Sequence, residues 1–146
     1  MLIAIPLLVI PVILYNIVVL ADASGSGTGL GAAGADLMLR EPWFRIPMAS
    51  GGVWEVGAGD AILFLALILL FFELLKSTSS QKVAIVNHAL SMVLFVVCLI
   101  EFLLLKSFAT SVFFLITTMV ILDVLAGFIV TIISARKDFD FGPPGG

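Results

Sequence analysis

The sequence predicts an all-α integral membrane protein of four transmembrane helices, with a long loop between spans one and two that contains a broken interfacial segment. Three observations carry this. Of 146 residues, 62% are hydrophobic and only 12% are charged, and the mean hydropathy is +1.28, outside the range of water-soluble domains. The apolar residues fall into four runs, each near the ~20 residues that cross ~30 Å of hydrocarbon at ~1.5 Å rise. Three carboxylates, Glu73, Glu101 and Asp123, lie inside three different runs, where an unpaired charge costs at least about 2.5 kcal/mol.

The first run, about residues 2–21, is span one. Its end, Ala21-Asp22-Ala23 before Ser24, fits the small-x-small pattern of a signal-peptidase site, but no Lys or Arg precedes the apolar stretch, so a retained span is expected. Pro6 and Pro11 each remove a backbone donor and predict a kink. The second run, about 57–75, closes at Lys76, whose stem reaches towards headgroups. After a polar turn over 77–81, the third run, about 83–105, forms an antiparallel hairpin with it and ends at Lys106. The fourth, about 108–134, is stopped by Arg136 and Lys137, and its length implies tilt or emergence from the bilayer.

Residues 22–56 form an extracytoplasmic loop in this arrangement. Its first part, Ser24 to Gly34, reads as a flexible linker. Residues 29–34, G-L-G-A-A-G, match the dinucleotide fingerprint formally but lack the strand and βαβ context that phosphate binding needs, so no nucleotide is expected. From Leu37 to Val56 the loop mixes apolar and charged residues. Pro42 and Pro47 break any long helix, which predicts a broken segment on the bilayer surface or on a partner, with Trp43, Phe44 and Trp54 as interfacial or docking anchors. The tail, 135–146, ends in D-F-D-F-G-P-P-G-G and reads as flexible.

Orientation follows from charge. Lys76, Lys82, Arg136 and Lys137 lie close to span ends on one side, against Lys106 on the other, with Arg40 and Arg45 distant from any end. Both termini are therefore expected in the cytoplasm, and a bacterial inner (plasma) membrane is the expected location.

The polar residues inside the runs are the candidate sites. Glu73 lies three residues before Lys76 on one face, and folding the hairpin brings it level with His88, which permits a carboxylate–imidazole pair. Asn87, His88 and Ser91 form a small polar cluster. Glu101, five residues before Lys106, is expected to pair with it at the headgroup boundary. Asp123, about 16 residues past Ser107 and 13 before Arg136, falls near mid-bilayer, too deep for its short side chain to reach water. It must be protonated, paired or hydrated, and an acid at that depth marks a functional site by default. Ser91 is level with it across the turn, with Asn87 and His88 as further candidate partners. Gly127 and Thr131 follow Asp123 at helical spacing with Ala126 beside them, giving a small-residue face for close helix packing. Asn16, Thr117, Thr118 and Cys98 are expected to be satisfied or packed without further role.

Several classes are excluded by composition. Seven scattered Lys and Arg and a net charge of -3 give no basic face for nucleic acid. One cysteine and one histidine supply neither a disulfide nor a metal centre, and no cofactor is expected. Ser91, His88 and Asp123 contain the residue types of a hydrolase, but Ser91 and His88 on one helix leave little space for a substrate, which makes an enzyme a distant third reading. The expected function is a non-catalytic accessory or scaffold subunit that packs against other membrane proteins or itself, in contact with the lipid bilayer. The alternative is a small oligomeric proton- or cation-coupled transporter or channel that uses Asp123 as its intramembrane acid.

Overall fold

The computed structural model describes residues 5–25, 32–77 and 81–140. Helix α1 spans Val9–Gly25, α2 Ala32–Arg40, α3 Ala58–Ser77, α4 Gln81–Leu104 and α5 Ser111–Asp140, while strands β1, Pro42–Pro47, and β2, Val53–Gly57, form an antiparallel hairpin. Among the described residues, three helices are long and apolar enough to cross a membrane: Ala58–Lys76, Ile85–Leu104 and Ser111–Ile133. The apolar part of α1, Val9–Ala21, is shorter; about 13 residues rise only ~20 Å.

Charged and polar side chains are buried in the interior while large apolar ones face outward. Glu73, Asn87, Ser91 and Asp123 are at most 3% exposed, whereas Phe64, Leu67, Phe71, Val93, Leu103 and Ile129 are more than half exposed. Water would oppose that inversion, and hydrocarbon favours it. Helix α5 sits centrally, packed on both α3 and α4. Its buried face carries Phe113, Ile116 and Val120, which join Leu94 and Cys98 of α4, Ile62 of α3, Leu8 just before α1, and Val12 and Tyr15 of α1 in one core.

Helix α1 is not kinked as its two prolines predict. The helix begins only at Val9, after a turn in which Val9 N–H bonds Pro6 C=O at 3.2 Å. Pro11 thus falls in the first helical turn, where the missing donor has no intrahelical partner to lose. Residues 1–4 of the expected span lie outside the described residues.

The loop departs most from expectation, because the protein is not purely helical. Ser24 and Gly25 still belong to α1 and the linker's Ala32 already opens α2, with 26–31 outside the described residues. Beyond Arg40 the segment is extended, pairing Phe44 with Val56, Arg45 with Glu55 and Ile46 with Trp54 around a bulge at Trp43. Pro42 and Pro47 stand at the two ends of β1, positions that an edge strand tolerates. The tip turns through Gly51 at φ 82°, with Gly51 N–H to Met48 C=O at 3.0 Å.

Strand β2 runs directly into α3. Gly57 serves as the N-cap and Asp60 as its N3 residue, whose Oδ2 accepts Gly57 N–H at 3.0 Å, half of a capping box. A Cβ at Gly57 would stand 2.7 Å from Leu39 C=O, so glycine is what lets the end of α2 lie against the start of α3. At the other end of the bundle α5 continues to Asp140, so residues 135–140 of the expected flexible tail are helical. Residues 141–146, residues 78–80 and the side chains of Lys82, Arg136 and Lys137, on which the orientation rests, lie outside what the structure describes.

Candidate functional site

Two buried carboxylates organise the interior. Glu73, one turn from the end of α3, is fully buried. Its Oε2 accepts Leu7 N–H at 2.6 Å, and its Oε1 accepts Asn87 Nδ2 at 2.5 Å and Lys76 Nζ at 3.1 Å. Lys76 also donates to Ile5 C=O at 2.6 Å. The i, i+3 pair on α3 therefore grips both a donor and an acceptor of the main chain just before α1, where Pro6 has interrupted helical bonding. The pair with His88 that the hairpin geometry permits is not made. Asn87, one residue earlier and so rotated by about 100° on the helix, faces Glu73 in its place.

His88 turns instead towards α5. Its ring meets Phe128 edge-on at a centroid distance of 4.6 Å and covers Gly127, where an added Cβ would overlap the imidazole. The small-residue face is thus partly filled within one chain: Gly127 is buried, Ala126 is half-buried, and Thr131 is exposed with its hydroxyl donating to Gly127 C=O at 2.9 Å.

One turn along, Ser91 Oγ donates to Asp123 Oδ2 at 2.5 Å, and both residues are buried. Asp123 lies within electrostatic reach of Glu73, Lys76 and His88, so the two acids and their partners form one interior polar region. Within it Asn87 Oδ1 and His88 Nδ1 are buried without a hydrogen-bond partner among the described residues.

Glu101 departs from its expected pairing. It lies near Asn16 of α1, its Oε2 is buried without a hydrogen-bond partner among the described residues, and Lys106 is exposed with no ion pair to Glu101. Asn16 donates to Val12 C=O at 3.1 Å. Tyr15, which sequence reasoning passed over, bonds Ser107 C=O at 3.1 Å and Thr110 Oγ1 at 2.6 Å, and its ring packs on Phe113 at 4.7 Å. A signal for it existed, since the chain's sole tyrosine stands in an apolar run and a buried phenol needs a partner. Thr117 and Thr118 donate to the carbonyls of Phe113 and Phe114, each at 2.9 Å.

The aromatic anchors project outward on the hairpin. Trp43, Phe44 and Trp54 are each more than half exposed, and Arg45 pairs with Glu55 at 3.1 Å. Among the described residues no group of three or more His, Cys, Asp or Glu is placed to hold a metal ion.

Comparisons with family models, with curated proteins and with solved structures gave no match. What the fold defines is a class: a small, mostly helical protein whose three long apolar helices suit it to contact with a lipid bilayer.

Proposed function

We propose that the protein is a non-catalytic accessory or scaffold subunit of a membrane, with four spans and both termini in the cytoplasm of a bacterial inner membrane. One observation carries this reading: the interior acids spend their bonding on the chain's own helices. Glu73 holds the start of α1 and Asn87 of α4, while Asp123 holds Ser91. Such contacts join helices in lipid, where apolar packing alone does not drive association. The four-span arrangement is supported by α1, which is fixed near residues 5–7 at the α3 end and through Tyr15 at the α4–α5 turn. Its outward helix faces are then the surfaces offered to other subunits.

Native mass spectrometry after mild detergent extraction from the source membrane tests the role. Unlike chains in fixed stoichiometry are expected, and a pure homo-oligomer overturns the accessory role.

A second reading, a proton- or cation-coupled transporter with Asp123 as coupling acid, is favoured by the unpartnered Asn87 Oδ1 and His88 Nδ1 in the same polar interior. Flux in proteoliposomes separates the two: Asp123→Asn abolishes transport in the second and leaves assembly and function intact in the first.

A further inference from the structure

We propose that the apolar face of the β-hairpin is a lipid-contact surface, lying at the boundary between headgroups and acyl chains of the bilayer that holds the helices. Side chains opposite one another in an antiparallel pair share a face, and successive residues alternate. The register therefore places Phe44, Val56, Ile46 and Trp54 on one face, and the Arg45–Glu55 ion pair on the other. The first face carries no charge. Phe44, Ile46 and Trp54 are 65%, 42% and 53% exposed, so nothing among the described residues covers them.

The occupant is identified by where the hairpin is rooted. β2 ends at Gly57 and α3 begins at Ala58, and the apolar span on α3 starts at that same residue. The root of the hairpin is thus at the edge of the hydrocarbon, with no linker to carry it away. Its five- and six-residue strands reach only ~15–20 Å from that edge. Trp43 fixes the direction of lean. The bulge there sets its ring at a groove of about 270 Å3, lined also by Leu14, Ile17 and Val18 of α1 and Ile62 and Leu65 of α3. Strand β2 packs against α3 and Trp43 borders the groove between α1 and α3, so the hairpin stands beside the apolar helices and its uncharged face meets the same lipid. Indole and phenyl rings at that depth match the aromatic belt of membrane proteins, with the ion pair left towards water.

Trp43 and Trp54 are the chain's two tryptophans, which makes the surface directly readable. The full chain is reconstituted in phosphatidylcholine vesicles, with and without lipids brominated near the top of the acyl chain. In Trp43→Phe, the remaining Trp54 should lose at least half its emission to the brominated lipid and be shielded from aqueous acrylamide. In Trp54→Phe, Trp43 reports the groove beside α1 and α3 and should be quenched too. Acrylamide quenching of Trp54 without bromine quenching overturns the proposal by placing the face in water. Shielding from both quenchers overturns it by showing that a second copy of the chain covers the face.

Discussion

Replacing Glu73 with alanine should release the amino-terminal end of α1 from the bundle. Three donors lose their acceptor at once: Leu7 N–H, Asn87 Nδ2 and Lys76 Nζ. At the ~0.6 kcal/mol typical of one hydrogen bond between membrane helices, three sum to about 2 kcal/mol. Breaking a buried ion pair by removing one member costs about 3–5 kcal/mol, because the other charge is stranded. Lys76 is not wholly stranded, since its side chain is 14% exposed and its ammonium keeps the Ile5 carbonyl. The expected loss is therefore about 2–4 kcal/mol. Glu73→Gln retains one acceptor oxygen but turns an amide NH2 towards one of the donors, so it should recover about half of that loss. Unfolding in mixed detergent–SDS micelles, followed by circular dichroism, gives the stability. Amide hydrogen exchange at Leu7 gives the local consequence, which should accelerate in Glu73→Ala before global unfolding. An alanine variant within about 0.5 kcal/mol of the parent, with Leu7 still protected, would refute the clamp.

The same unfolding assay reads three further changes. Gly127→Val drives a side chain into the His88 ring and should cost about 1–3 kcal/mol, with most of it restored in the double variant that adds His88→Ala. Ser91→Ala removes the hydroxyl donor to Asp123 and should cost about 1–2 kcal/mol, whereas Asp123→Asn keeps an acceptor for Ser91 and should remain near the parent. Tyr15→Phe loses the bonds to Ser107 and Thr110 and should lower stability by about 0.5–1.5 kcal/mol without loss of helix content; a larger loss would mean that the ring has left its packing as well.

Long-period features were readable from the chain, and rotational ones were not. The three long apolar helices follow from run length alone. The Ser91–Asp123 contact follows from counting equal distances back across the tight α4–α5 turn, because helical rise is constant. The choice between Asn87 and His88 for Glu73 depends on about 100° of helix rotation, which counting along the axis does not supply. The partner of Glu101 was misread for a related reason: Lys106 is near in sequence, but it lies beyond the helix end, and Asn16 on α1 is near in space. The hairpin was hidden because Pro42 and Pro47 read equally as helix breakers and as the ends of an edge strand. Only the paired alternation of Phe44 and Ile46 with Trp54 and Val56 distinguishes the two.

The distribution of these polar contacts bears on how so small a bundle selects one arrangement. In hydrocarbon an apolar side chain gains little by exchanging lipid for a neighbouring helix, so Leu and Val faces leave rotation and register weakly determined. Two helix pairings here have their own polar contact, Glu73 with Asn87 for α3 and α4 and Ser91 with Asp123 for α4 and α5, and Asn16 of α1 stands near Glu101 of α4. Helix α1, shorter than α3, α4 and α5, is held by Glu73 and Lys76 at one end and by Tyr15 at the other. A one-residue slip of α1 would turn Tyr15 and Asn16 by about 100° and break contacts at both levels simultaneously. The acids inside the membrane can therefore be explained by specificity of helix register, and a transport role would need Asp123 to act in addition to the bond it already makes.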